Sequence, residues 1–407
     1  MRGISKIESP HRFLCISTCP EPWGGSEELW SQAAFVLAQR GHKVSAFKIV
    51  VDKAHPSIRR LKSVSCIVRD LERIRLPQRL MYLLLPGRYQ MTQSKKHFLF
   101  LGLYLMMRRP DLVVISQGDN NDALHIGYLC RKLKLPYILI SHKASYFSWP
   151  PDKSRKFRRD VFDGALKCFF VSKHNLNLTE EQIGARLPNA EVVRNPFLVA
   201  ADRPLEWPGA EENGWRLACV ARLIVVDKGQ DVLLRVLARE KWKRRNLHVS
   251  FFGQGINREG LEGLAARLRV TNIKFAGQTG DVPGIWRDHH GLILPSRNEG
   301  LPLSIVEAMM CGRTAIVTNV GGNGELIEDG VTGFVAEASA EADVDEALER
   351  AWQRRSEWRA MGELAAKRIR ELVPADPAAR FADQLVEFAS TLRYPEGNRP
   401  NVQAISQ

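Results

Sequence analysis

Two glutamates that bracket a helix start make up the part of this sequence best suited to chemistry. Glu299 and Glu307 lie eight residues apart in SRNEGLPLSIVEAMMCG, which begins at Ser296. Pro302 suits the first turn of a helix and Gly312 suits its end. Carboxylates accept hydrogen bonds from vicinal hydroxyls, so two of them could bind a hexose and a ribose. Taken singly, each glutamate is better explained as a capping acid or a surface acid.

The same helix start is suited to a phosphate. Its first backbone amides would be those of Leu303, Ser304 and Ile305. Such amides have no intrahelical partner, and the helix dipole favours an anion beside them. A second segment, ARLIVVDKGQDVLL, places Arg222 at the end of a predicted strand and Lys228 at the start of the next helix. Two cations there could neutralise a diphosphate leaving group, although basic residues at strand ends are commonly only solvated.

Two glycine-rich segments accompany these residues. VGGNGELIEDGVTGF, residues 320–334, contains glycines that permit tight turns and close approach of the backbone. Near the N-terminus, Gly24 and Gly25 follow a predicted strand, and Ser26 is a good N-cap for a helix that Gly41 would end. The acidic first turn of that helix would contain Glu27 and Glu28. Each segment is weak evidence by itself.

Short apolar strands alternate with helical segments along both halves of the chain. This alternation is typical of a parallel sheet covered on both faces. The predicted strands are residues 12–18, 43–49, 111–116, 137–141 and 167–172, then 215–221, 247–252, 273–276, 291–296 and 314–318. Residues 200–214 interrupt the alternation with prolines, glycines and acids, so we interpret them as a linker.

The sequence therefore predicts an α/β protein with two Rossmann-like, doubly wound domains that face a central cleft. We expect an N-terminal domain over residues 1–199, a C-terminal domain over 200–375, and a helix with a frayed tail over 376–407. Asp376 would cap that helix, Pro377 would open it, and it is expected to pack back on the N-terminal domain. Doubly wound sheets bind ligands beyond the carboxyl ends of their strands, which makes the cleft the expected active site.

Charge is distributed unevenly along the chain. The 407 residues have a formal net charge of +14. Residues 1–200 contain 32 Lys+Arg and 16 Asp+Glu, whereas the remaining 207 residues contain 27 and 29. This asymmetry indicates different tasks for the two halves.

Cysteine and hydropathy patterns set the expected compartment. The seven scattered cysteines fit neither a zinc site nor a disulfide framework. No apolar stretch approaches the roughly 20 residues of a membrane-spanning helix, and the N-terminus lacks a signal-peptide core. We expect a cytoplasmic protein with reduced thiols.

Three basic segments of the first half are candidates for contact with an anionic membrane. They are residues 73–89, 94–109 and 153–159, in which cations flank or interleave apolar residues. The alternative is that the apolar residues are ordinary buried helices and the cations are solvated; the sequence leaves both open. Nucleic-acid binding is a lesser alternative, because no nucleic-acid motif accompanies the charge, and no such partner is expected.

The order of the motifs resembles glycosyltransferase family 4, whose members are retaining GT-B enzymes that use nucleotide-diphosphate sugars. The resemblance rests on Arg-x5-Lys-Gly, Pro-Ser-x2-Glu-Gly-x6-Glu-Ala-Met-x2-Gly and Gly-Gly-x2-Glu-Leu-Ile-x-Asp-Gly-x-Thr-Gly-Phe, within residues 215–340. It is looser in the first half. There Gly24-Gly25-Ser26-Glu27 is similar to the family's N-terminal glycine-rich loop, and His142, six residues after Pro136, is similar to its strand-end histidine. Residues 145–149 match nothing in the family pattern and are candidates for shaping an acceptor site.

The resemblance implies a role for each candidate residue. Glu307 would bind the ribose hydroxyls, and Glu299 would bind hydroxyls of the donor sugar. Arg222 and Lys228 would hold the diphosphate, helped by the helix amides near Ser304. Further substrate contacts would come from Gly24, Gly25, Gly300, Leu303 and Ile305. His142 would face the donor sugar and the acceptor from the other domain, although a histidine after an apolar strand is often only structural.

The implied reaction is a retaining sugar transfer without a metal or a cofactor, because cations and helix dipoles take the place of the metal. Asp119 and Asp122 are therefore interpreted as loop or N-cap residues. The donor would be a UDP- or GDP-linked sugar. The acceptor would be a glycan or a lipid-linked intermediate of polysaccharide biosynthesis, met at the inner face of the cell membrane.

Two other classes of protein remain open at this point. A nucleotide-sugar epimerase or phosphorylase would share the fold, and a non-catalytic scaffold could bind a sugar nucleotide or a membrane. The presence of Glu299, Glu307, Arg222 and Lys228 argues against the scaffold.

Overall fold

The computed structural model describes residues 10–73, 93–199, 202–209 and 214–393. For residues 93–99 and 393 it describes the backbone only. The chain forms two compact units. The first comprises the described residues of Met1–Val171, Leu176–Pro196 and Asp376–Gln407, and the second comprises those of Ser172–Asn175 and Phe197–Ala375. The boundary between the units in this part of the chain lies between Pro196 and Phe197, whereas the sequence analysis began the second domain at residue 200.

The first unit contains a seven-stranded parallel sheet in the order β3-β2-β1-β4-β5-β6-β7. Its strands are β1 (Arg12–Ser17), β2 (Lys43–Lys48), β3 (Ile67–Asp70), β4 (Leu112–Gln117), β5 (Tyr137–Ser141), β6 (Lys167–Phe170) and β7 (Ala190–Val192). Its helices are α1 (Gly25–Gln39), α2 (Pro56–Ser63), α3 (Gln93–Arg108), α4 (Leu124–Lys132), α5 (Asp152–Asp163) and α6 (Lys173–Ile183), to which the C-terminal helix α16 (Pro377–Arg393) is added.

Helices cover both faces of this sheet. Alternate residues of a strand point to opposite faces, so Leu14 and Ile16 join one apolar cluster with residues of α3, α4 and α5. Phe13 and Cys15 join a second cluster with residues of α1 and α16, which include Phe381. The apolar runs of the sequence therefore mark strands that are buried on both sides.

The second unit contains a six-stranded parallel sheet in the order β10-β9-β8-β11-β12-β13. Its strands are β8 (Trp215–Val220), β9 (Leu247–Phe252), β10 (Ile273–Gly277), β11 (Gly291–Leu294), β12 (Thr314–Thr318) and β13 (Gly333–Ala336). Its helices are α7 (Val225–Lys228), α8 (Gln230–Leu237), α9 (Glu240–Lys243), α10 (Arg258–Arg267), α11 (Val282–Asp288), α12 (Leu303–Met310), α13 (Asn323–Leu326), α14 (Glu341–Gln353) and α15 (Trp358–Leu372).

The predicted strands are all present, with ends that differ by two residues or fewer. Three further strands, β3, β7 and β13, were not predicted. They have only three or four residues, and β3 and β7 are mixed in polarity and not fully buried, so these strands are too short or too polar to give a strand signal. Strand β13 lies inside the third motif, where the glycines had been interpreted as permitting tight turns and close backbone approach and no strand was predicted.

The ends of α1 and α16 follow the expected chemistry with one exception. Helix α1 begins at Gly25 with Gly24 as its N-cap, so Ser26 does not cap it as predicted. Gly41 follows the end of that helix with a φ of 90°, the left-handed conformation that glycine favours. Asp376 caps α16, because its carboxylate accepts a hydrogen bond from the Ala379 amide at 2.8 Å.

The described part of the interpreted linker, residues 202–209, packs on the second unit. The buried Arg313 guanidinium donates to the carbonyls of Trp286 at 2.7 Å and Glu206 at 2.5 Å, and it lies over the ring of Trp207. With only carbonyl partners, burial lowers the pKa of Arg313 to about 10.

Parts of the basic segments lie outside the described residues, namely residues 74–92 and the side chains of residues 93–99. Across the described helices, none combines the length and the apolar character needed to span a bilayer. All seven cysteines are buried and unpaired.

Candidate functional site

The order of the second sheet reverses between β8 and β11, which lie side by side although they are distant in sequence. Ligands of doubly wound proteins bind at this switch point, beyond the carboxyl ends of the strands. The segment after β8 contains Arg222 and Lys228, and the segment after β11 contains Glu299 and Gly300. The topology thus brings together two motifs about seventy residues apart.

Lys228 and Glu299 form a direct ion pair at this switch point. The Lys228 ammonium lies 2.6 Å from one Glu299 carboxylate oxygen, and the Ser296 hydroxyl donates to the same oxygen at 2.8 Å. Both charged side chains are largely withdrawn from solvent. The two residues to which the resemblance assigns separate roles, one on the diphosphate and one on the sugar, are therefore direct partners.

Glycines allow this pair to form. Gly229 has a φ of 61° and lies beside Pro295, the residue that follows β11. A Cβ atom at Gly229 would stand 2.1 Å from the Pro295 carbonyl oxygen. Lys228 is the last residue of α7 and does not open the following helix as predicted, because Gly229 separates α7 from α8. The close approach brings Lys228 to the segment that contains Glu299.

The third motif supports the same segment from the other side. Gly321 has a φ of 55°, and a Cβ atom there would stand 2.3 Å from the Glu299 carbonyl oxygen. The Gly322 amide donates to the Gly300 carbonyl at 2.7 Å. The glycine pair is therefore required by contact with the backbone of the Glu299 segment, which agrees with the close approach predicted for it.

Arg297 and Asp231 form a clamp that the sequence did not indicate. The Arg297 guanidinium binds both carboxylate oxygens of Asp231, at 2.7 and 3.0 Å, and also donates to the Val225 carbonyl at 2.7 Å. The backbone amides of Arg297 and Asn298 donate to the Asp227 carbonyl at 2.8 and 3.0 Å. Helix α7 is thereby fastened to the segment of Glu299. A single sequence does not indicate which acid an arginine will bind, so no pattern pointed to this clamp.

The start of α12 corrects one expectation about the amides. Pro302 is the N-cap and Leu303 is the first helical residue. The Ile305 amide donates to the Pro302 carbonyl at 3.2 Å, so it is not an unpaired donor as predicted. Pro302 was expected inside the first turn, but the helix starts at Leu303. The Pro302 carbonyl, at the N-cap, therefore accepts the hydrogen bond of the third helical residue. Leu303 and Ser304 keep the helix-start position expected of an anion site.

Glu307 is buried within α12, and one of its carboxylate oxygens accepts a hydrogen bond from the Leu198 amide at 3.2 Å. It is therefore no surface acid. Arg222 lies two residues beyond β8 and is exposed, and its carbonyl accepts a hydrogen bond from the Gln230 side chain at 2.7 Å. The backbone of Arg222 is fixed while its guanidinium is accessible to solvent.

The first unit presents Gly24 and Gly25 after β1. Behind them lies a buried network that sequence reasoning missed. The Glu27 carboxylate accepts hydrogen bonds from Ser17 at 2.8 Å and Trp30 at 2.6 Å and lies 3.3 Å from the Lys48 ammonium. Burial raises the pKa of Glu27, while Lys48 acts in the opposite direction.

Lys48 fixes the glycine-rich segment by its backbone. Its ammonium donates to the carbonyls of Cys19 at 2.8 Å and Glu21 at 2.6 Å. The lysine and Glu27 are both fully buried, so Glu27 is a core residue and not only an acid suited to the helix dipole. A lysine inside an apolar strand was the signal that could have revealed this network.

His142 lies immediately after β5 in the first unit, at the end of the strand where it was expected. Its Nε2 is 3.1 Å from the Ser116 hydroxyl, at the end of β4. Burial lowers the pKa of His142 to about 3, so the imidazole is neutral near pH 7. Asp119 and Asp122 belong to the loop that follows β4, where Asp122 accepts a hydrogen bond from the Asp119 amide at 2.9 Å.

The structure thus gathers Arg222, Lys228, Glu299, Gly300, Leu303, Ser304, Ile305 and Glu307 in the second unit and places Gly24, Gly25 and His142 in the first. Each set follows the carboxyl ends of parallel strands, which is the ligand-binding edge of this architecture. Among the described residues, no group of three or more His, Cys, Asp or Glu side chains could hold a metal ion.

Two doubly wound parallel-sheet units define the class of the protein: it has the GT-B fold of glycosyltransferases. The structure is similar to that of HepE from Anabaena in complex with UDP, with a TM-score of 0.72 over 92% of this chain and 100% of that chain, at 16% identity. The complex of HepE with UDP-glucose aligns with a TM-score of 0.70 over 93% and 99% of the two chains. At this level of identity the likeness establishes the fold.

The sequence comparisons fall mainly on the second unit. Residues 214–354 match the family described as "Glycosyl transferases group 1". An uncharacterized glycosyltransferase of Methanocaldococcus jannaschii is 25% identical over 247 residues, which are 58% of this chain and 66% of that protein. Glycogen synthase of Pseudomonas syringae pv. syringae is 32% identical over 221 residues, 49% of this chain and 44% of that protein. The matched region thus spans less than two thirds of these relatives, and together the findings support a GT-B glycosyltransferase.

Proposed function

We propose that this protein is a retaining glycosyltransferase of family 4. It transfers a sugar from a UDP- or GDP-linked donor to a glycan or lipid-linked acceptor of polysaccharide biosynthesis, without a metal ion. The observation that carries the proposal is the pairing of Lys228 with Glu299 at the sheet's switch point, beside the start of α12. The relatives and the HepE complexes support a nucleotide-sugar donor.

Each part of the site in the second unit has a task in this reaction. Lys228, the exposed Arg222 and the start of α12 supply fixed positive potential where the diphosphate oxygen becomes negative. Glu299 binds donor-sugar hydroxyls and Glu307 binds the ribose. Because Glu299 already accepts from Lys228 and Ser296, its carboxylate is held in place before the donor arrives.

The proposed chemical step is attack on the face from which the leaving group departs. The bond between the anomeric carbon and the diphosphate oxygen breaks, and its electron pair remains on that oxygen. The acceptor hydroxyl oxygen bonds to the anomeric carbon, and its proton passes to the same diphosphate oxygen. In the first unit, neutral His142 offers a hydrogen bond to donor sugar and acceptor, and Gly24 and Gly25 admit the phosphates.

The test begins with the full-length protein and a panel of nucleotide sugars. We expect one UDP- or GDP-sugar to raise the melting temperature, because binding to the native state alone stabilises it. With that donor and a set of glycan and lipid-linked acceptors, the product should retain the donor's anomeric configuration. Turnover should persist in EDTA.

The outcomes separate the proposal from its rivals. A donor converted to an isomer without any acceptor would identify an epimerase, and sugar 1-phosphate released by phosphate would identify a phosphorylase. Donor binding without any chemistry would identify a scaffold. Loss of turnover in EDTA with recovery on adding magnesium or manganese would contradict the metal-independent mechanism.

A further inference from the structure

Within the described part of the chain, exposed aromatic side chains are concentrated in one stretch of the first unit. Among the described residues, the five large aromatic side chains with substantial exposure all lie between positions 128 and 157. They are Tyr128, Tyr146, Phe147, Trp149 and Phe157. Phe147 is the most exposed, at 87%. Exposed aromatic surface is costly in water, and its concentration in one place marks an interaction site.

The same stretch holds half of the charge excess of the first 200 residues. Residues 128–159 contain nine Lys+Arg and a single acid, Asp152. Lys132, Lys153 and Lys156 are exposed, although the Lys156 ammonium also lies 2.9 Å from the Asp160 carboxylate, just beyond this stretch. Other cations of the stretch hold the fold, since Arg159 donates to the carbonyls of Ile183 and Gly184. The predicted basic segment 153–159 is thus partly structural and partly available to a partner.

A polar network holds the aromatic loop in place. Ser145 caps the turn Tyr146–Ser148 by accepting from the Phe147 amide at 3.2 Å, and its carbonyl accepts from Gln182 at 2.8 Å. The Ser148 carbonyl accepts from the Asn121 side chain at 2.9 Å. The loop is therefore fixed by its backbone while its aromatic side chains face solvent. Little conformational freedom is lost when such side chains are buried by a partner.

The loop and the neighbouring helices form one surface. The Asn121 side chain that holds Ser148 also binds Arg158 of α5. On the adjoining helices, the rings of Tyr128 in α4 and Phe157 in α5 lie 5.6 Å apart. The surface is defined here as these five aromatic residues with Lys132, Lys153 and Lys156, and is called the aromatic–basic surface. It adjoins the end of β5, where His142 lies.

We propose that the aromatic–basic surface docks the first unit on an anionic phospholipid bilayer. Aromatic rings settle at the level of the lipid headgroups, and lysines beside them are attracted to anionic lipid. Phe147 stands almost fully in solvent and has no polar atom, which suits insertion among lipid headgroups. The excess of cations over acids in residues 128–159 matches a negatively charged surface of large area, with Lys132 and Lys153 exposed and Lys156 shared with Asp160.

Docking requires no turnover, so the proposal stands apart from the proposed transferase activity. It extends the expectation drawn from residues 153–159 and differs from that drawn from residues 73–109, since it adds the aromatic loop at the carboxyl end of β5. A lipid-linked acceptor would then meet the protein beside His142.

The experiment is flotation of the full-length protein with vesicles of phosphatidylcholine, with and without phosphatidylglycerol, at low and high salt. Binding should require the anionic lipid and fall with salt. Phe147→Glu should lower the vesicle partition coefficient about tenfold, because it replaces apolar surface by a like charge. Lys153→Glu with Lys156→Glu should weaken binding and reduce its salt dependence. Nucleotide binding, followed by thermal shift, should be unchanged in each variant.

Met107→Glu is the matched control. Met107 is 82% exposed and also lies in the first unit, but it is at the end of α3, next to the amino end of β4. This variant should float like the wild type. Wild-type protein that ignores anionic vesicles, or a loss in Met107→Glu equal to that in Phe147→Glu, would overturn the proposal. Loss of affinity for a soluble oligosaccharide in Phe147→Glu, with no vesicle binding by the wild type, would assign the surface to a glycan instead.

Discussion

In the proposed function, Lys228 and Glu299 have two tasks: they form an ion pair that stabilises the fold, and they bind the donor. Removing one partner of a buried ion pair leaves an uncompensated charge, which costs about 3–5 kcal/mol, whereas removing both charges costs far less. The ammonium and carboxylate of this pair are 2.6 Å apart and largely shielded from water. Stability and donor binding should therefore respond differently to single and double substitution.

We expect Lys228→Met and Glu299→Gln to lower the free energy of unfolding by about 2–4 kcal/mol each, somewhat less than for a fully buried pair. The double variant should recover most of that loss, because no isolated charge remains. Donor turnover should stay low in all three, since the charge facing the diphosphate is missing or unsupported. Urea denaturation and steady-state kinetics measure the two effects separately. A double variant with wild-type turnover would show that the pair serves the fold alone.

At the scale of elements, the short helix α7 owes its position to the Arg297–Asp231 clamp. Burial acts to raise the pKa of Asp231, but the hydrogen bonds from Arg297 and Arg235 outweigh it, and the pKa is lowered. Arg297 also reaches the Val225 carbonyl in α7, whereas Arg235 binds the same carboxylate at 2.7 Å from within α8. The two arginines share a partner but only one of them touches α7.

Arg297→Met should reduce kcat/KM by about 10–100-fold, because a displacement of α7 by about 1 Å moves Lys228 out of place. Arg235→Met is the control that removes the other ion pair of Asp231 and should leave kcat/KM nearly unchanged. Amide exchange in residues 224–228 should accelerate only in Arg297→Met. Equal kinetic losses in the two variants would show that the charge of Asp231, and not the position of α7, is what matters.

Across the whole molecule, three buried histidines make stability depend on pH. Burial lowers the pKa of His42 and His290 to about 4 and that of His142 to about 3. In the first two, Nδ1 accepts a backbone hydrogen bond, from His11 at 3.2 Å and from Arg216 at 3.0 Å. The unfolded chain binds protons at these groups below about pH 6.5, while the folded protein does not.

Stability is therefore fully present above about pH 6.5 and should fall as the pH decreases toward 4. His290→Asn keeps an acceptor for the Arg216 amide but cannot titrate, so its melting temperature should decline less steeply over that range. His248→Asn, at an exposed position, is the control and should follow the wild type. Thermal melts at several pH values provide the comparison. Parallel curves for wild type and His290→Asn would exclude a contribution from this histidine.

Much of the architecture follows from the sequence alone. Apolar runs such as those of β4 and β5 identify strands that are covered on both faces, and their alternation with helical segments indicates a parallel sheet between helices. Glycine, proline and capping residues mark the ends of elements, as Gly41 and Asp376 do, since their effect is local. Motif spacing likewise placed Glu299 and Glu307 at one helix start.

Only the tertiary structure decided which of these residues are partners. Lys228 and Glu299 meet because β8 and β11 are neighbours in the sheet. No local sequence pattern determines this order of strands. The buried Lys48–Glu27 network and the Arg297–Asp231 clamp have the same origin. From the sequence alone a charged residue is expected to be solvated, because its burial and its ion-pair partner depend on segments that are distant along the chain. The aromatic–basic surface is a related case, since the sequence singled out residues 145–149 and 153–159 separately, and the fold brings them together with Tyr128.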